Sequence, residues 1–371
     1  MQERAEIVFW LIGIAYICTA VISKLVYPQL GRIQPLPLVY ALGFLLFIYL
    51  GRRTSSKIPP IVKVPLYTGG ILTPLIQATP KLAPIYFVIW VAITGMTCFL
   101  YDAIIKNFEK LKSIGWKTTT SVAILLVLIG CLLGGIPLLN PSIRYSEYRT
   151  LYLAAGYLIA LSIVLKPQLK ILILGITVGV LSTFRTDVLA VILAYIFRVG
   201  VEEKPPTEKR LIIILILAGT ISGFIARYWA TLSSYPTWDL DFLETLLYRP
   251  GVTYTVYEKL FWMGFPFGNQ SHKILFSSNP KLLVGNLFGR DVGYTYTMFG
   301  QPAYDFGVLG VLEGILMGMV LEDSSKFKTL NAMALTLLTL SIPIGIDAFF
   351  LPAILLPGLI ASEVILCEQR T

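Results

Sequence analysis

In the stretch LSTFRTDVLAV, Leu181 to Val191, an arginine and an aspartate stand two residues apart within one of the most apolar parts of the chain. An ionisable side chain at membrane depth costs roughly 3 kcal/mol or more, so Arg185 and Asp187 ask for a reason. Arginine is always charged and presents a planar fork that grips phosphate through two parallel hydrogen bonds. The same chemistry is offered by Arg144 and Arg149 in NPSIRYSEYRT, Arg249 in LLYRPGVTYTVYEKLFW and Arg290 in LFGRDVGYTYTMFGQPAYDFG. Each also has a plainer reading. Arg185 and Asp187 pair or snorkel from a helix end, and aspartate is an ordinary first-turn residue. Arg144 and Arg149 make a salt-bridged turn with Glu147, and the tyrosines around Arg249 form an interfacial belt.

Other residues offer different chemistry. Asp239 and Asp241 in WDLDF form a DxD pair of the kind that holds a metal in some glycosyl-transferring enzymes, or are solvated loop carboxylates. His272, in GNQSHKILFSSNP, is the single histidine and titrates near neutrality unless perturbed. It is either a proton-transfer group or a structural loop residue. Asp291 follows Arg290, Asp305 opens a late helix, and Glu313 lies within that helix. Between Gly285 and Gly310 the chain is dense in Gly, Tyr and Thr, Tyr304 among them; glycine allows close backbone approach, and the hydroxyls suit a sugar. The four cysteines lie in or beside apolar runs without a CxxC spacing and read as small apolar side chains, with no zinc site or disulfide frame.

These residues must be positioned by membrane helices. The chain has 371 residues, 56% hydrophobic and 14% charged, and a mean hydropathy of +0.75. Apolar runs recur from end to end, long enough to cross a hydrocarbon core of about 30 Å. The expected fold is an all-α polytopic membrane protein of about twelve transmembrane or re-entrant helices, at roughly 6–24, 35–51, 62–79, 84–105, 119–138, 149–165, 170–183, 186–199, 211–229, 303–321, 331–347 and 350–366. The run near 62–79 is broken by Pro65, Pro74 and a glycine pair. Those at 170–183 and 186–199 are too short to cross comfortably, which predicts a re-entrant pair with STFRTD at its tip. MQERAEIVFWLIG reads as a retained first helix.

GRRTSSK, KNFEKLKSIGWK, KPQLK, VEEKPPTEKR and EDSSKFK fall on one side of this layout, which the positive-inside rule makes cytoplasmic together with both termini. The division expected is 1–229, transmembrane helices including the short pair at 170–199; 230–302, one large extracytoplasmic loop of short amphipathic helices; and 303–371, the last transmembrane helices. Arg32, Arg144, Arg149, Arg185, Arg227, Arg249 and Arg290 then collect on the outer side, where topology alone disfavours charge in short loops. That points to an anionic ligand there. The formal net charge of +9 belongs to the loops of a membrane protein; its scatter argues against nucleic acid.

With these residues assembled, the chain resembles the O-antigen polymerase family of oligosaccharide repeat unit polymerases. The likeness rests on the short pair joined by an arginine-bearing turn, GVLSTFRTDVLAVILA, on the large loop between two late helices, and on MFGQPAYDFGVLGVLEGILMG. It implies a GT-C-like membrane glycosyltransferase of the plasma membrane acting at the outer face. Donor and acceptor would be oligosaccharides on polyprenyl or dolichyl diphosphate. Arg144, Arg149, Arg185, Arg249, Arg290 and Tyr304 would bind substrate, no metal or other cofactor would be needed, and proton removal would fall to His272, Asp291 or Asp305. No motif identifies a chain-length regulator. Rival readings are an O-antigen ligase, a metal-dependent transferase using WDLDF, and a transporter or flippase for lipid-linked glycan. Against the last, the broken pair has no counterpart in a second half.

Overall fold

The structure, a computed structural model, describes residues 2–95, 108–199, 205–235, 237–270 and 273–369. All regular structure among them is helical. The helices are α1 (Gln2–Val26), α2 (Pro35–Ser55), α3 (Pro60–Ala78), α4 (Ala83–Gly95), α5 (Phe108–Leu133), α6 (Arg149–Leu165), α7 (Leu169–Leu181), α8 (Arg185–Val199), α9 (Pro206–Ser234), α10 (Phe242–Gly264), α11 (Pro280–Leu287), α12 (Thr297–Phe306), α13 (Leu312–Ser325), α14 (Lys328–Ile344) and α15 (Phe350–Glu368). Among the described residues six helical segments are long and apolar enough to cross a membrane, and shorter apolar helices accompany them. The chain is thus a polytopic helical membrane protein. It divides into two compact units, one from Asn107–Thr245 and one mainly from Arg4–Lys106 and Leu246–Thr371.

In the first unit α6 packs on α5, α7 and α8, and α9 packs on α7 and α8. At 1.5 Å per residue the 13 residues of α7 and 15 of α8 reach only about 20 Å, short of a hydrocarbon core. Such helices must hide their end groups in protein, and α8 does so. Val188, Ala190, Val191, Ile192, Leu193, Ala194, Tyr195 and Phe197 are all buried, so it is enclosed on every side. Gly156 makes room for its first turn, since a Cβ there would come within 2.5 Å of the Asp187 carboxyl carbon.

In the second unit α2 runs against α13. Gly314 and Gly318 form a GxxxG stripe, and a Cβ at Gly318 would collide with the Ile48 carbonyl. Removing side chains from such a seam is how membrane helices gain close packing without a hydrophobic driving force. The proline-broken run at 62–79 is helical after all, with Pro65 and Pro74 inside α3. Expected as one span at 303–321, the late helix is instead a broken rod: α12, a 3₁₀ segment Gly307–Val311, then α13. The break sits at Gly307, whose φ of +58° suits glycine and whose missing Cβ lets the Pro266 carbonyl approach. Within 230–302, expected to hold only short helices, α10 runs for 23 residues.

Two buried polar nodes tie this unit together. The Lys24 ammonium pairs with Glu258 of α10, which also accepts the Gln34 amide at 3.1 Å. Burial pushes the Glu258 carboxyl up, and the Lys24 and Gln34 hydrogen bonds pull it back down. On α13, Asp323 accepts from Lys63 at 2.5 Å, Tyr67 at 2.7 Å, Ser55 at 2.8 Å and Ser362 at 3.3 Å. Cys18 and Cys131 are free, but Cys367 is disulfide-bonded, which corrects the expectation of four unlinked thiols.

Candidate substrate site

The first unit gathers its charge at the turn between α7 and α8. Ser182, Thr183 and Phe184 make that turn, and Thr183 takes a left-handed φ of +57°, unfavourable for a β-branched residue. The turn is held from outside. The half-buried Arg144, in a 3₁₀ segment Pro141–Tyr145, donates through Nη1 to the Thr183 carbonyl and, at 3.2 Å, to its hydroxyl. Its guanidinium lies 4.3 Å from the centre of the Phe184 ring. Arg185 begins α8, half-buried, with its guanidinium 5.7 Å from the centre of the Phe224 ring on α9. Asp187 follows in the first helical turn, fully buried. Arg144 and Arg185 thus flank one strained turn, while Arg149 stands exposed at the start of α6.

Another arginine of this unit, counted by sequence among the outer-side cations but not singled out as a binding residue, lies three residues from the ring that carries Arg185. Arg227 of α9 is half-buried, and its Nη1 is buried without a hydrogen-bond partner among the described residues. One turn before it, Gly223 packs on Val188 of α8, and Phe224 carries Arg185 on its ring. The signal was present, since Arg227 lies near the end of an apolar run, but its interior direction depends on how α9 meets α8. Beyond it, a depression of about 450 Å³ is lined by Asn140, Pro141, Ser142, Ser233, Ser234 and Tyr235.

The remaining candidates lie on the second unit. Asp305 is fully buried and accepts from the backbone amides of Ile274 at 2.7 Å and Leu275 at 2.8 Å, and from Gln301 at 3.1 Å. Its carboxylate therefore fastens the segment just after His272, which itself lies outside the described residues, to α12. The Gln301 amide also donates to Glu313 at 3.1 Å. Tyr304 is fully buried in a cluster with Val256, Leu260, Ile274, Val284 and Tyr296, and its hydroxyl has no hydrogen-bond partner among the described residues. Arg249 is half-buried on α10. The hydroxyls of Thr253 and Thr295 meet at 3.2 Å, bringing the following turn of α10 beside the segment after Arg290 and Asp291, both exposed.

The WDLDF stretch has a local use. Asp241 accepts the Glu244 amide at 2.8 Å, and Glu244 accepts the Asp241 amide at 2.9 Å. This reciprocal pair is a capping box at the start of α10.

Comparison with protein families finds a match over residues 4–356 to the family described as "Putative O-antigen polymerase". No curated protein and no solved structure matches the chain.

Proposed function

Because the chain belongs to the O-antigen polymerase family, we infer that its substrates are held in the first unit by Arg144, Arg185 and their neighbours. The family makes it a membrane protein of polysaccharide biosynthesis, a glycosyltransferase-type enzyme of repeat-unit polymerisation whose substrates are lipid-linked oligosaccharides. Beyond that, the donor is an oligosaccharide on a polyprenyl or dolichyl diphosphate, presented at the extracytoplasmic face of the plasma membrane, with both termini cytoplasmic. The architecture is GT-C-like, with 1–229, 230–302 and 303–371 as its three parts.

The observation that carries this reading is the placement of Arg144 and Arg185 around a strained turn between two helices too short to cross a bilayer. A diphosphate there meets a guanidinium on each flank. In the transfer, a hydroxyl oxygen of a second lipid-linked glycan attacks the anomeric carbon, the bond to the diphosphate breaks, and the hydroxyl proton leaves to a base or to water. Negative charge grows on the departing lipid diphosphate. Preorganised cations aimed there lower the barrier, the part a divalent ion plays in other transferases. Arg149 adds positive charge to the first unit, and Arg249 and Arg290 add it to the second, for anionic substrates. Tyr304, fully buried, serves the second unit from within its apolar cluster rather than by direct contact with a sugar. Asp305 serves as the anchor of the His272 segment, leaving His272 and the exposed Asp291 as proton acceptors.

Arg185→Ala is expected to abolish polymer formation in cells, with single lipid-linked repeats accumulating. Arg185→Lys keeps the charge but loses the fork and should fall well below wild type. Normal polymer from Arg185→Ala protein of wild-type abundance would sink the reading, and accumulation of long unligated polymer on removing the protein would favour a ligase.

A further inference from the structure

We propose that Arg227 and the depression beyond it form a subsite for the first sugar of the lipid-linked donor, a neutral one, with Arg227 bridging to the diphosphate. The inference rests on the diphosphate reading of Arg144 and Arg185 and adds a site to it.

Spacing along α9 gives the geometry. Gly219 packs on Ile176 of α7, and Gly223 packs on Val188 of α8. One further turn along the same helix face stands Arg227, three residues past Phe224, whose ring carries Arg185. Ser234 follows seven residues later, close to the same face and about 10 Å along the axis. The helix therefore carries a cation and then a hydroxyl in the order of a sugar diphosphate, phosphate first and ring next.

Arg227 has a plainer role to displace. An arginine near the end of a membrane helix ordinarily snorkels, with its stem in lipid and its guanidinium in water. Here Nη1 is buried and lacks a hydrogen-bond partner among the described residues. Leaving a buried guanidinium nitrogen unpaired is costly, and an anionic oxygen would repair it. The neighbouring Arg185 on the Phe224 ring, three residues before Arg227, makes that oxygen's owner a multiply charged ligand.

The depression fits the group attached to such an anion. Its lining supplies an amide from Asn140, hydroxyls from Ser142, Ser233 and Ser234, and the phenol and ring of Tyr235. No charged side chain is among these described lining residues, and Arg227 is committed to the diphosphate, which suits an uncharged sugar. A volume of about 450 Å³ lies in the range of small-molecule sites.

The test uses full-length protein in detergent with farnesyl diphosphate as a probe that bears no sugar, alongside polymer formation in cells on the native donor. Arg227→Ala should weaken farnesyl diphosphate binding about tenfold or more, and reduce polymer. Ser234→Trp fills the depression and should stop polymer formation while binding farnesyl diphosphate as wild type does, which also shows that it is folded. Undiminished polymer from Ser234→Trp, or wild-type probe binding by Arg227→Ala, overturns the subsite. Equal loss of probe binding in Ser234→Trp protein of normal thermal stability overturns the assignment of the depression to sugar. Wild-type probe binding by Arg185→Ala would instead strike at the diphosphate reading beneath it.

Discussion

Asp305 shows how a single carboxylate divides between chemistry and construction. Ranked among the proton acceptors by its place at the head of a late helix, it accepts two backbone amides and a glutamine amide and is fully buried. Charge-assisted bonds of this kind contribute about 1.5–3 kcal/mol each. Asp305→Asn can keep an acceptor oxygen but puts an amide NH₂ against backbone donors. It should lower the thermal unfolding midpoint measured in detergent, with destabilisation of about 2 kcal/mol, and lower activity in step with the folded fraction. An Asn variant of wild-type stability with activity reduced a hundredfold would return Asp305 to the chemistry. The residue types were legible in the chain: arginines where a membrane segment should have none, and a lone histidine. What could not be read was their partners. The Ile274 and Leu275 amides lie about thirty residues from Asp305, and the Phe224 ring lies 39 positions from Arg185, so neither contact leaves a periodic trace.

At the scale of the element, the short pair α7 and α8 was legible from length alone, with both ends read to within two residues. The apolar runs of 170–183 and 186–199 are interrupted where the polar tip sits, and hydrophobic length is the strongest signal a membrane chain carries. The break at Gly307 was not legible, because α12, the 3₁₀ segment and α13 share one apolar stretch; only the positive φ and the approach of the Pro266 carbonyl reveal it. Likewise α10 mixes tyrosines and charges on a helix that folds back on other elements, which hides its length from hydropathy. The pair makes one demand that can be tested. Gly156 is where α6 yields to the buried Asp187. Gly156→Leu should drive α8 from α6, reduce thermal stability by about 1–3 kcal/mol through overpacking, and reduce polymer formation; Gly156→Ala should do so less. If the leucine variant melts and works as wild type does, Asp187 is not held where the geometry has it.

For the whole molecule, the membrane class was legible because composition acts over hundreds of residues, and the family was legible from a few motifs. The two compact units were not, since the second joins Arg4–Lys106 to Leu246–Thr371 across the whole length of the first. Orientation remains the proposal on which the site's side depends. In a background with Cys18→Ala and Cys131→Ala, cysteines placed singly at Ser234 and Ser278 should react with an impermeant thiol reagent in intact cells, and one at Ser325 only after the cells are opened. The reverse pattern would turn the molecule over and move the site to the cytoplasm.

The carboxylate of Asp323 also imposes a timetable on biosynthesis. Its donors Ser55, Lys63 and Tyr67 emerge from the ribosome some 260 residues before it, and Ser362 about forty residues after it. Until α13 is inserted, an ammonium group destined for burial has no counter-charge, and α3 with its two internal prolines is a poorly anchored helix. The early helices of this unit are thus committed to waiting, and the nascent chain reaches its settled state only when its last segments close over the first.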